Sequence, residues 1–245
     1  ALLSENGDVK DKEYGELTAE MYAAGHSFFT YMSDNADSLS SCCRLRNEIQ
    51  DNGFSYTLGA GGVSTGSKSV LTVNLNRCIQ YAVRNGQSYT EFLEDVVDRM
   101  HKFQLAYNEN LKHLQSKGML PLFDAGYITM GRQYLTIGVN GLVEAAEFLG
   151  IEISDNPQYA AFVQDGLGIV EKYNKQYRTA DVLFNCEMIP AENVGVKHAK
   201  WDREDGYVVP RDCYNSYFYA VEDPSLNVLD KFRLHGRRYV EHLTG

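Results

Sequence analysis

The sequence has no surplus of positive charge. Among its 245 residues, 23 Lys and Arg stand against 33 Asp and Glu, a formal net charge of −10. A surface for nucleic acid or an anionic membrane needs clustered cations, so neither partner is expected. No apolar run approaches the roughly 18 residues a spanning helix requires. The opening Ala-Leu-Leu-Ser-Glu-Asn-Gly-Asp lacks the basic and apolar regions of an export signal, so a soluble, cytoplasmic chain is expected. No Pro/Ser linker or low-complexity run interrupts the chain, and a single domain over 1–245 is expected. The five cysteines, Cys42, Cys43, Cys78, Cys186 and Cys213, form no Cys-x-x-Cys pair and no zinc spacing, which fits a reducing compartment. The six histidines supply no His-Glu-x-x-His, so no metal site is expected. There is no Gly-x-Ser-x-Gly elbow and no dinucleotide-binding glycine fingerprint after a strand, and ordinary hydrolase and dehydrogenase classes lose their motifs.

What is present is ordinary globular material, 44% hydrophobic and 23% charged. Leu17, Met21, Ala24, Phe28, Tyr31 and Met32 recur at helical spacing and predict a half-buried helix within 13–34. A glycine-rich stretch over 53–66 leads into a buried strand at 69–75. Ser88 and Glu91 form a capping-box pattern that opens a long helix over 89–117. Val139, Leu142, Val143, Ala146 and Phe148 suggest helical spacing within 138–150. Asp155 and Pro157 open a further helix to about Tyr177, and 182–189 reads as a strand ending at Pro190. Strands alternating with long helices favour an α/β fold with a largely parallel sheet, open or closed as a barrel.

Three segments invite chemistry. Gly61 to Ser69 approaches a phosphate-binding loop, but the spacing is off by one residue and Lys68 precedes a strand instead of a helix, so a close-packed glycine loop is preferred. In Ser38-Leu-Ser-Ser-Cys42-Cys43-Arg44-Leu-Arg46, two guanidinium groups beside adjacent thiols favour a reactive cysteine. In Phe184-Asn-Cys186-Glu-Met-Ile-Pro190-Ala191-Glu192-Asn193-Val-Gly195, a strand end runs into a proline-started turn. Backbone N–H groups there would seat a phosphate if a helix begins, and an ordinary strand-to-helix connection is the alternative.

Taken together, Cys42-Cys43-Arg44-Leu-Arg46, Tyr56 to Gly66, Val70-Leu-Thr-Val-Asn74-Leu-Asn-Arg77, Thr136-Ile-Gly-Val-Asn-Gly-Leu-Val-Glu144 and Pro190-Ala-Glu192-Asn193 resemble the catalytic subunit of anaerobic, class III ribonucleoside-triphosphate reductase, a glycyl radical enzyme. Their order along the chain carries the resemblance. It implies part of a ten-stranded α/β barrel whose central finger loop lifts a cysteine to its middle. It also implies anaerobic reduction of ribonucleoside triphosphates to 2′-deoxyribonucleotides for DNA synthesis. Cys43 resembles the cysteine whose thiyl radical takes the ribose 3′-hydrogen, with Cys42 the rival assignment. Pro190, Ala191, Glu192 and Asn193 resemble the segment that holds the substrate phosphates. Asn74 and Arg77 fall in a motif near the active site, with strand-end packing and helix capping as the alternative role. Cys186 is a candidate redox partner, or a buried inert thiol, while Cys78 and Cys213 read as structural.

The resemblance further implies a glycyl radical made by an S-adenosylmethionine-dependent iron–sulfur activase, ATP and deoxynucleotide effectors, zinc, and a homodimer. The family's N-terminal ATP cone, its four-cysteine zinc site and its Arg-x-x-Gly-Tyr radical motif are read as absent. Gly245 does not match the radical glycine, and a later part of the barrel, inactive alone, is expected. A glycyl radical enzyme of the formate-lyase or dehydratase type is one alternative, and a non-catalytic nucleotide-binding module is another.

Overall fold

The computed structural model describes residues 4–5, 8–26, 38–40, 46–48, 66–189 and 192–243. The chain divides into two compact units, Ala1–Val63 and Ser64–Gly245.

In the first unit, β1 (Ser4–Glu5) pairs antiparallel with β2 (Asp8–Val9), and β3 (Ser38–Ser40) pairs antiparallel with β4 (Arg46–Glu48). Helix α1 (Lys12–Ala23) starts where the Asp11 carboxylate accepts the Tyr14 N–H. Over its described part the expected half-buried helix is corrected in two respects: α1 ends at Ala23, before a left-handed Gly25 at φ 83°, and none of its residues is buried, while Phe28, Tyr31 and Met32 of the same expectation lie outside the described residues. The Cys42-Cys43 segment and the glycine-rich stretch up to Thr65 lie outside the described residues.

The second unit holds a three-stranded parallel sheet in the order β5 (Gly66–Asn74), β6 (Gln133–Asn140), β7 (Leu183–Met188). Between β5 and β6 run α2 (Leu75–Arg84), α3 (Tyr89–Ser116) and the short α4 (Pro121–Asp124). Between β6 and β7 run α5 (Leu142–Phe148) and α6 (Pro157–Tyr177). Helix α7 (Glu192–Glu204) follows β7, and α8 (Val228–Leu234) and α9 (Arg237–Val240) complete the described chain. This is the expected α/β architecture with a parallel sheet.

Two boundaries move. The predicted strand at 69–75 ends at Asn74, because Asn74 caps a helix that begins at Leu75. The helical reading of 138–150 is half wrong: Val139 belongs to β6, and helix starts only at Leu142, after a left-handed Gly141 at φ 78°. The central strand β6 is buried on both faces, so it lacks the alternation by which a half-exposed strand announces itself. The long helix matches expectation closely, with Ser88 Oγ accepting the Glu91 N–H at 3.4 Å and Gly118 at φ 69° beyond its end. At the start of α6 the cap is Asn156, whose Oδ1 accepts the Tyr159 N–H at 2.8 Å. Asp155 instead accepts the Tyr239 hydroxyl at 2.8 Å.

The two faces of the sheet differ in chemistry. Val73, Ile137, Val139, Cys186 and Met188 pack into the main core with side chains of α2, α3, α5 and α6. Each such aliphatic side chain contributes about 1.5–3 kcal/mol. Alternation sends Thr72, Asn74, Thr136, Gly138, Asn140, Asn185 and Glu187 to the other face. Gly138 is required there: a Cβ would sit 2.3 Å from Ile189 Cγ1 and 2.7 Å from Thr72 Oγ1.

Candidate functional site

In a parallel α/β sheet the carboxyl ends of the strands feed helix N-termini, and their partial positive charges collect along one edge. Here β5 passes directly to α2 at Asn74, and β6 turns through Gly141 into α5. Strand β7 reaches α7 within four residues, Met188 to Glu192.

The side chains at this edge form one buried polar network around Asp202 of α7, whose side chain is 0% exposed. Asn74 Nδ2 donates to both Asp202 oxygens at 2.9 and 3.0 Å, while Asn74 Oδ1 accepts the Arg77 N–H at 3.1 Å. Arg77 Nε donates to Asp202 at 2.6 Å, and its other arm reaches Asp205 at 2.6 Å. Asn76 Nδ2 donates to Asp202 at 3.1 Å, and the Tyr214 hydroxyl donates to it at 2.7 Å. Burial opposes the Arg77 charge, but the hydrogen bonds to Asp202 and Asp205 outweigh it and hold its pKa above the usual value. Burial, helped by the Asp202 carboxylate, pushes the Tyr214 phenol upward, so it stays a donor.

A second cluster ties β6 to α7 and the chain beyond it. Asn140 Nδ2 donates to the carbonyls of Tyr214 and Asn215 at 3.4 and 3.1 Å, which turns its Oδ1 toward His198 Nδ1 at 3.0 Å. The proton of neutral His198 is therefore on Nδ1, leaving Nε2 as an acceptor. Burial lowers the His198 pKa against the opposing pull of Asp202. Glu144 in the first turn of α5 accepts from Arg211 at 2.6 Å and from the Asn215 N–H at 2.9 Å. Gly195 of α7 comes so close to this segment that a Cβ would stand 2.8 Å from the Tyr214 carbonyl.

The residues singled out in the sequence fall as follows. Asn74 and Arg77 lie together at the edge, and the capping role of Asn74 is real. Glu192 and Asn193 open α7, with Asn193 exposed, while Pro190 and Ala191 lie outside the described residues. Cys42 and Cys43 also lie outside them. Cys186 packs into the helix-side core, where burial pushes its thiol up to about 12, and Cys78, packed against the same core, is pushed up to about 12 as well. Lys68 is a strand residue donating to the Met130 carbonyl at 3.1 Å. Among the described residues no group of three or more His, Cys, Asp or Glu could hold a metal.

Arg-x-x-Gly-Tyr, read as absent, does occur as Arg203-Glu-Asp-Gly206-Tyr207. There Gly206, exposed and left-handed at φ 73°, closes α7, and the Tyr207 ring lies beneath Arg77 and Arg84. An exposed helix end offers a radical no protection from solvent, so this stretch reads as a helix cap.

The sequence reading missed Asn76, Asn140, His198, Asp202 and Tyr214. The available signals were the strand-ending asparagines at 74 and 140, and the i, i+4 pair His198 and Asp202 on one face of α7.

The family model for anaerobic ribonucleoside-triphosphate reductase matches residues 3–245. Among solved structures, the chain is similar to the anaerobic ribonucleotide reductase of Thermotoga maritima with glycerol in the active site. The two are 26% identical with a TM-score of 0.76, over 100% of this chain and 41% of that one. The same enzyme with dATP in the specificity site matches at 26% identity and a TM-score of 0.76, over 100% and 42%. Its complex with dATP and CTP matches at 29% identity and a TM-score of 0.67, over 74% and 32%. This chain thus spans about two-fifths of the length of that reductase. No curated protein matches it. With a match that takes in both units and every residue of the polar edge, the chain belongs to the anaerobic ribonucleoside-triphosphate reductase family.

Proposed function

We propose that this chain serves the anaerobic reduction of ribonucleoside triphosphates to 2′-deoxyribonucleoside triphosphates. The observation that carries the reading is the family match over residues 3–245. In this reading the three parallel strands are part of a ten-stranded barrel, and the polar sheet face is turned toward its interior. The glycyl radical, made by an S-adenosylmethionine-dependent iron–sulfur activase, supplies the unpaired electron. Cys43, with Cys42 as the rival, takes the ribose 3′-hydrogen so that the protonated 2′-hydroxyl leaves as water, with formate or a thioredoxin-like protein supplying the electrons of the reduction and the 3′-hydrogen returned from the cysteine at the end. Pro190, Ala191, Glu192 and Asn193 are the segment that holds the triphosphate, with Pro190, which has no N–H to give, setting the turn and the backbone N–H groups that open α7 facing the anion, so that an acidic protein binds it locally. Asn74, its Nδ2 taken up by Asp202 and its Oδ1 already accepting the Arg77 N–H, has the second lone pair of Oδ1 left to accept from the sugar. Cys186 is a less natural redox partner, because it is buried on the helix side of the sheet. Effector binding, zinc, a homodimer and a cytoplasmic setting come with the family reading. The test is anoxic incubation of the complete reductase with its activase and CTP: dCTP is the expected product, and a radical-bearing enzyme that forms none would reject the reading.

A further inference from the structure

We propose that the side-chain amide of Asn185 binds a ribose hydroxyl of the substrate, an inference that rests on the reading above and deepens it. Asn185 is 0% exposed, and neither its Nδ2 nor its Oδ1 has a hydrogen-bond partner among the described residues. Its neighbours along β7, Phe184, Cys186 and Met188, pack into the helix-side cores. Asn185 therefore points to the opposite face, which also carries Asn74 and Asn140. The residue paired with it on β6, Thr136, has already committed its hydroxyl to Ser67 Oγ at 2.7 Å. A buried amide with both its donor and its acceptor unpaired destabilises the protein twice over, whereas a leucine of similar size would not. The residue makes physical sense if a ligand completes it.

The chemistry narrows that ligand. A phosphate oxygen only accepts and would leave Oδ1 unpaired, so the triphosphate is not its partner. A hydroxyl both donates and accepts: Nδ2 donates to the hydroxyl oxygen, and the hydroxyl hydrogen goes to Oδ1. The sugar of a ribonucleotide supplies such groups whatever its base. A base edge could also pair with an amide, but its pattern of donors and acceptors changes from base to base.

The experiment uses the complete reductase, anoxic and without activation, as wild type and Asn185→Leu. Melting is measured without nucleotide, and binding of CTP, UTP, ATP and GTP by calorimetry. The variant is expected to melt at the same temperature or higher, and to bind all four ribonucleotides about tenfold more weakly, the size of one lost pair of neutral hydrogen bonds. A variant that melts lower and binds CTP as tightly as wild type would mean the amide is completed within the protein, and would overturn the proposal. A loss confined to some bases would overturn it in favour of a base contact. Absence of CTP binding by wild type would instead strike the substrate reading itself.

Discussion

Asp202 shows how one buried carboxylate can organise an edge. It accepts from Asn74, Asn76, Arg77 and Tyr214, and it is wholly buried while Arg77 keeps about a third of its side chain in water. Truncating it strands several donors at once. Asp202→Ala is therefore expected to destabilise the protein by about 3 kcal/mol, read as a lower urea midpoint, because removing one partner of a buried pair leaves the others uncompensated. His198 carries a second prediction. Burial depresses its folded-state pKa below the ordinary 6.5, so below about pH 6.5 the unfolded chain binds the proton more readily than the native one. Its contribution is constant above that pH and turns unfavourable as pH falls toward the folded value. Unfolding free energy measured from pH 8 down to 5 should drop, and His198→Gln should drop less. An identical decline in both proteins would remove His198 as a cause.

At the scale of elements, β6 is the central strand, flanked by a strand on each side and closed over by Ile189 at Gly138. Gly138→Ala forces Ile189 or Thr72 aside and is expected to lower stability by about 1–3 kcal/mol, measured by thermal melting. Elements with strong local signals were legible from the chain alone: the Ser88 cap and the apolar face of α3 give its limits almost to the residue. Strand β6 was not, since a strand buried on both faces has the same apolar continuity as a buried helix. Helix α2 was missed for a related reason: buried Asn76 and Gln80 interrupt its apolar pattern, and what buries them is a tertiary network with Asp202, Tyr214 and Val208. Asn74 and Arg77 could be picked out as polar residues at a strand end, but their common partner lies over 120 residues away in sequence. Spacing alone does not reveal such a partner.

At the scale of the whole molecule, the parallel sheet divides its labour between two faces. One face is apolar and bound to helices, and the other is polar and carries asparagines at the carboxyl edge. Under the proposed function, an acidic chain holds a triphosphate because helix N-termini and amides, not net charge, set the local field. Under the proposed function, Cys43 relays a radical to a ribonucleotide. Its most direct test is the complete reductase, activated anoxically, as wild type and Cys43→Ser, with glycyl radical signal and conversion of CTP to dCTP measured on the same samples. The variant is expected to keep the radical and make no dCTP. A variant that still makes dCTP would contradict that expectation and move the relay to another residue, with Cys42 next in line.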